Sequence, residues 1–189
     1  MLLLDGRAAA GHEDDLLALR ADVCGDGGTG DGDRVTGDGE AARRLRVWRR
    51  QPGFALAEAR HGGYLVGYAC GMPLRPSTSW WRGLTTPLPD DVTAEHPGRT
   101  FALTGLMVRA AWRRQGIGTA LHDRILAGRP EERATLTAAP TGTSPAATAA
   151  QGALRAWGWT RVARTRDPDA GPAVLDVLVL PLPVQPRTW

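Results

Sequence analysis

The spacing of apolar residues changes several times along this chain, and each change marks an element. From Thr100 to Ala127, TFALTGLMVRAAWRRQGIGTALHDRILA, a run rich in Leu, Val, Phe and Met gives way to a basic turn, then to Leu121, Ile125 and Leu126 at helical spacing. FALTGLMV predicts a buried strand and the repeat after it a helix. Upstream, His12 to Cys24 carries Leu16, Leu17, Leu19 and Val23 behind an acidic first turn, which predicts a helix. Glu40 to Gln51 predicts a second, with Leu45 and Trp48 inward, its arginines (Arg43, Arg44, Arg46, Arg49, Arg50) mostly outward, and Pro52-Gly53 as its stop. FALAEAR (54–60) and YLVGYACGM (64–72) predict two strands joined tightly at His61-Gly62-Gly63. MLLL predicts a short first strand closed by Asp5-Gly6. RATLTAAP (133–140) predicts another, Ala146 to Trp157 an alanine-rich helix ended by Gly158, and TRVARTR with AVLDVLVLPL a closing hairpin around Asp167 to Pro172.

Two segments lack any rhythm. Gly25 to Glu40, GDGGTGDGDRVTGDGE, predicts an exposed, mobile loop; it lacks the spacing and terminal Glu of a calcium-binding EF-hand. Pro73 to Arg99 is long, irregular and proline-rich, the kind of segment that often walls or lids a site. Its Trp80 and Trp81 suit either a wall against an apolar acceptor or a cover for the sheet edge.

Length and composition narrow the class. The 189 residues suffice for one domain, 1–189, with a substantial core, and neither repeats nor linker composition divide them. No apolar run approaches the length of a membrane span, and MLLLDGR is too short for a secretory core, so a cytoplasmic protein without membrane contact is expected. Cys24 and Cys70 fit no metal spacing, and no metal is expected. The net charge is +3, yet all 23 basic residues are Arg, and the chain has neither Lys nor Asn. That joint absence suggests a genome avoiding AAx codons. The Arg clusters at 43–50 and 109–114 are short and lack interleaved aromatics, so no nucleic-acid partner is expected.

The candidate chemistry lies where strand meets helix. Gly116 and Gly118 allow a tight turn and bring bare N–H groups against a ligand. The first-turn amides of Gly116 to Thr119 would lack intrahelical partners at the positive end of the helix dipole, and Arg113 and Arg114 add charge beside them. Together they form a candidate phosphate cradle. His122 and Asp123, inside the helix, read as structural.

In this setting, Val108 followed by Arg113-Arg114-Gln115-Gly116-Ile117-Gly118 resembles the R/Q-x-x-G-x-G/A signature of the GNAT superfamily of acyl-CoA-dependent N-acyltransferases. LRAWGWTRV, from Leu154 to Val162, resembles that family's later helix end. The resemblance covers about residues 12 to 183. It implies a mixed α/β fold: one mostly antiparallel sheet of about six or seven strands with about four helices, splayed at the strand before RRQGIG. It further implies acetyl-CoA or another acyl-CoA as cosubstrate. Leu106, Met107 and Val108 would hold the pantetheine, and a main-chain N–H near Met107 or Val108 would polarise the thioester carbonyl. Arg113, Arg114 and the amides of Gln115, Gly116, Ile117, Gly118 and Thr119 would take the pyrophosphate. The acceptor would be a small-molecule amine, with Trp80, Trp81 and Tyr68 as its wall, and homodimerisation is left open.

Two positions depart from the family pattern. Thr104-Gly105 stands where an acidic base is often found, and Leu154 where a Tyr often protonates the departing thiolate. Replacement bases on offer are Glu58, Tyr68, Asp90, Asp91, Glu95, His96 and Asp176, of which His96 titrates nearest neutrality. Cys70 reads as a small core residue. The resemblance therefore leaves three readings: direct acyl transfer without the usual pair, altered acyl-CoA chemistry, or a non-catalytic acyl-CoA binder.

Overall fold

A computed structural model of the chain describes residues 1–25, 38–166 and 173–184. The expected mobile loop and the turn of the last hairpin fall mainly outside them. Seven strands form one sheet in the order β1-β2-β3-β4-β5-β7-β6. They are β1 (Leu2–Asp5), β2 (Ala55–His61), β3 (Tyr64–Pro73), β4 (Thr100–Val108), β5 (Arg133–Ala138), β6 (Thr160–Arg166) and β7 (Val174–Pro181). All neighbours are antiparallel except β4 and β5, which run parallel.

Alternation along the strands sorts the core into two layers. Leu56 of β2 with Tyr68 and Cys70 of β3 face Leu16 and Leu19 of α1 (Glu13–Gly25) and Leu45 of α2 (Asp38–Arg49). On the other face, Ala57, Ala69, Phe101, Ala134 and Leu178 lie under Leu121 and Ile125 of α4 (Ile117–Leu126) and Leu154 of α5 (Pro145–Ala156). Period-two strands and period-3.6 helices therefore meet as the sequence pattern requires. α5 begins earlier than expected because Ser144 accepts a hydrogen bond from the Ala147 N–H (3.1 Å) and Pro145 suits a first helical position.

The long segment before β4 is irregular but pinned. It contains one short helix, α3 (Asp90–Thr93), and its Leu84 forms a bridge with Thr165 on edge strand β6. Glu95 is its anchor. One carboxylate oxygen accepts from Trp81 Nε1 (2.9 Å), Thr100 Oγ1 (2.9 Å) and Arg133 Nη2 (3.1 Å), with the side chain fully buried. Among the described residues no helix is long and apolar enough to cross a membrane.

Candidate functional site

The sheet opens at its one parallel pair. β4 and β5 are in register only at Thr100–Arg133, Phe101–Ala134 and Ala102–Thr135. Just beyond, β4 carries an extra residue, Thr104, because Leu103 pairs with Gly71 while Gly105 pairs with Cys70. A bulge bends and twists the strand that carries it, and here the strands part at the bulge. A cavity of about 340 Å³ fills the gap. Its walls are Leu103 to Met107 of β4, Leu136 to Ala139 at the end of β5, and the Ala147, Ala150, Leu154 and Trp157 face of α5. Arg20 of α1, Arg44 and Trp48 of α2, and Trp80 of the long segment close the remaining side.

Main-chain groups open onto this cavity. The Arg109 N–H donates to the Val66 carbonyl of β3 (2.9 Å). Alternation then directs the N–H and C=O of Met107 toward β3 and those of Leu106 and Val108 toward the cleft. The N–H of Met107 is thereby committed, leaving Leu106 and the Val108 N–H as the available main-chain partners, since the Val108 carbonyl accepts from Arg113.

The turn after β4, the candidate cradle, opens α4 with left-handed residues. Gly116 precedes α4 in the left-handed region (φ +78°), and Arg114, a non-glycine residue, is left-handed too (φ +63°). Strain of this sort, worth about 1–3 kcal/mol, concentrates at functional sites. The first intrahelical bond runs from Ala120 N–H to Gly116 O (2.9 Å), so the N–H groups of Ile117, Gly118 and Thr119 precede the ladder. A Cβ at Gly118 would meet only Trp157 Cη2 at 3.8 Å and Val108 Cγ2 at 3.9 Å, which is ordinary contact. Packing alone does not demand glycine there. Arg113 ties the turn to β4 by donating from Nε to the Val108 carbonyl (3.0 Å), and Gln115 Nε2 donates to Ala111 O (3.2 Å).

Gly105 faces a space already taken. A Cβ there would stand 3.1 Å from Cys70 Sγ and 3.2 Å from Tyr68 Cε2. Burial pushes the Cys70 thiol up to about 11, so it stays protonated. Tyr68, expected on the wall, donates its hydroxyl to Met107 Sδ (3.5 Å) and does not line the cavity. Trp81 donates from Nε1 to Glu95 (2.9 Å) and is outside the cavity lining; Trp80 lines the cavity, while its Nε1 donates to Thr135 Oγ1 (3.2 Å).

None of the candidate bases reaches the cavity, and among the described residues lining it there is no carboxylate. His96, expected as the base, is exposed with Nε2 3.7 Å from Glu132, on the segment before β4 and outside the cavity lining. Glu58 is enclosed by His12 (2.9 Å) and Arg60 (2.9 Å). Asp176 is held by Arg164 (3.0 Å) and Gln151 (3.2 Å). Asp90 and Asp91 start α3. His122 is structural as expected. An indole N–H can only donate, so the bond from Trp159 Nε1 to His122 Nε2 (3.0 Å) places the imidazole proton on Nδ1, toward Asp123 (2.9 Å).

Sequence reasoning missed Arg20, Arg44, Trp48 and the alanine face of α5. A signal for the arginines existed: Arg20 belongs to the inward set Leu16, Leu19, Val23, and Arg44 to Ala41, Leu45, Trp48.

A family model described as the acetyltransferase (GNAT) family matches residues 31–158, more than half of the chain. Among solved structures, an aminoglycoside 6'-N-acetyltransferase complexed with coenzyme A is 13% identical, with a TM-score of 0.63 over 100% of this chain and 99% of its own. The GNAT-like decarboxylase GphF in complex with isobutyryl-CoA is 17% identical, with a TM-score of 0.64 over 97% and 100%. The loading GNATL domain of CurA from Lyngbya majuscula is 11% identical, with a TM-score of 0.59 over 95% and 96%. At these identities the likeness is one of fold. No curated protein matches the chain.

Proposed function

The chain belongs to the GNAT acetyltransferase family, and from that premise we propose that it moves an acyl group from an acyl-CoA, acetyl-CoA in the simplest case, to a small-molecule amine. The observation that carries this reading is the continuity of cleft and cradle. Trp157, which lines the gap between β4 and β5 with Leu106 and Met107, is also the nearest neighbour of Gly118, 3.8 Å from where a Cβ would stand, so the gap adjoins the turn that opens α4.

The residues present fit the cosubstrate. The helix N-terminus with Arg113 and Arg114 suits a pyrophosphate, and the open side of Gly118 leaves its backbone approachable. The apolar cleft suits a pantetheine arm pairing with the free edge of β4. Bound there, acyl-CoA supplies an activated carbonyl. The N–H groups of Leu106 and Val108 are the donors placed to favour negative charge on its oxygen. α5 and the walls at Trp48 and Trp80 exclude water and hold the amine close, and orientation of that kind is worth up to about 7–11 kcal/mol. A general base would add about 10²–10⁴-fold, a smaller share, so a wall without carboxylates is compatible with turnover.

That same wall, together with Leu154 in place of a hydroxyl, supports a second reading: an acyl-CoA binder without transferase activity. Isothermal titration with CoA and a thiol-release assay over an amine panel separate the two. CoA binding with amine-dependent thiol release supports transfer. Binding without release across the panel supports the binder, and no binding at millimolar CoA removes both.

A further inference from the structure

The cavity has two ends, and the acyl-CoA reading so far uses one of them. Its wide end adjoins the turn that opens α4, and there the N–H groups of Leu106 and Val108 set the level of a thioester carbonyl. Its narrow end lies where β4 and β5 converge on their ladder. The last ladder pair is Ala102–Thr135, so Leu103 and Leu136 are the first residues of the gap. Both belong to the core layer under α4 and α5, as does Leu154 of α5. The three are only 4%, 6% and 6% exposed, yet all line the cavity, so this end is dry and closed. A strand rise of about 3.3 Å per residue puts Leu103 roughly 7–10 Å beyond Leu106, allowing for the bulge at Thr104.

The polar groups flanking the narrow end are satisfied within the sheet. Thr104 donates its hydroxyl to the Cys70 carbonyl (3.3 Å). Thr135 donates to the Leu178 carbonyl (3.0 Å) and accepts from Trp80 Nε1 (3.2 Å). Thr137, next along β5 after Leu136, turns to the other face of the sheet. That is the face on which α1 and α2 pack, bringing Arg20 and Arg44 to the wall. A polar group pushed among Leu103, Leu136 and Leu154 would lose water without gaining a partner.

We propose that the narrow end is an acyl pocket and that the donor is an acyl-CoA with an apolar chain longer than acetyl. The inference rests on the acyl-CoA reading above and names the substrate class within it. With the pyrophosphate at the wide end and the carbonyl at Leu106 and Val108, the acyl chain points toward Leu103 and Leu136. The span leaves room for about three to five carbons beyond the carbonyl. The pantetheine amides do not suit this end, because they need partners and those of β4 lie at the wide end. An acetyl methyl stops short of it. Each further methylene exchanges water for contact with the three leucines.

Calorimetric titration of the wild-type protein with CoA and with acetyl-, butyryl-, hexanoyl-, octanoyl- and succinyl-CoA tests this. Affinity is expected to rise by roughly fourfold per buried methylene, so by about 15-fold from acetyl to butyryl. It is expected to level off by octanoyl-CoA, where the pocket is full. Succinyl-CoA, as long as butyryl-CoA but ending in a carboxylate, is expected to bind at least about tenfold more weakly than butyryl-CoA. Two variants of one residue shift the profile in opposite directions. Leu136→Phe is expected to cut the butyryl advantage to about threefold or less, and Leu136→Ala to extend the rise through octanoyl-CoA. Thermal unfolding shows which variants are folded, and the wild-type series stands without them. Equal binding of acetyl- and butyryl-CoA, a wild-type rise continuing through octanoyl-CoA, tighter binding of succinyl- than butyryl-CoA, or a folded Leu136 variant with the wild-type profile overturns the proposal. Failure of the wild-type protein to bind CoA or any acyl-CoA instead removes the acyl-CoA reading beneath it.

Discussion

Gly118→Ala and Gly118→Trp together separate the two explanations of the GxG turn. If glycine is there only to turn the chain, alanine should harm the fold. The structure argues otherwise: a methyl at 118 meets its nearest neighbours at 3.8 and 3.9 Å, and the residue lies in the first turn of α4 at an ordinary helical φ. Replacing glycine by alanine within a helix is worth roughly 0.5–1 kcal/mol. For a chain of this size that corresponds to a rise in Tm of about 1–4 °C. The ligand-bound state is tested by Gly118→Trp, since the signature admits alanine at this position. An indole over the Gly118 amide removes close approach of a pyrophosphate and with it one or more charge-assisted hydrogen bonds, each about 1.5–3 kcal/mol. CoA affinity is therefore expected to fall by roughly 10- to 150-fold. Gly116→Ala is the control: its site is open but left-handed (φ +78°), so it should cost about 1–2 kcal/mol of stability from backbone strain. Thermal unfolding and calorimetric CoA titration read both quantities. A folded Gly118→Trp protein that binds CoA within twofold of wild type would refute the placement of the phosphates, and a lowered Tm of Gly118→Ala would refute the packing argument.

Other expectations follow from buried groups. Glu95→Ala strands Trp81 Nε1, Thr100 Oγ1 and the Arg133 guanidinium, and breaking a buried pair from one side costs about 3–5 kcal/mol. Limited proteolysis should then cut first within 74–99, and an unchanged digestion pattern would count against the anchor. Trp159→Phe removes the donor to His122 Nε2 and should cost about 1–3 kcal/mol, read as a shift in denaturant midpoint. Cys70, pushed up to about 11 by burial, should resist iodoacetamide at pH 8 in a Cys24→Ser background and react once unfolded. Its raised value means stability fully present below the ordinary thiol range and lost as pH climbs from about 9 toward 11. Cys70→Ala should flatten that part of the Tm–pH curve.

Much of the frame was legible because β2, β3 and β4 carry clean apolar runs and Gly-Gly or Pro-Gly punctuation at their ends. The cradle was legible because its parts are consecutive. The missing base at Gly105 could also be read from the chain, but what replaced it could not. Cys70 and Tyr68 fill that space through a cross-strand register containing a one-residue bulge, and no local pattern announces such a pairing. His96 stands out in the sequence by residue type alone; the fold sets it on the segment before β4, beside Glu132. Arg44 reads as outward-facing with its helix's other arginines and Arg20 carries no motif, although each shares a helical stripe with leucines. An abundance of arginine hid the two that point inward.

The three-residue ladder between β4 and β5 is the narrowest join in the sheet. On one side stand β1 to β4 with α1, α2 and α4; on the other, β5, β7 and β6 with α5. The cavity is the continuation of that join, so a ligand within it touches both flanks and acts as a cross-brace. Occupancy should then slow hydrogen exchange in β5 and α5 as well as at the cradle, because opening the seam would first require the ligand to leave. The place where this sheet is weakest in hydrogen bonds is thus the place where a substrate contributes most to its rigidity.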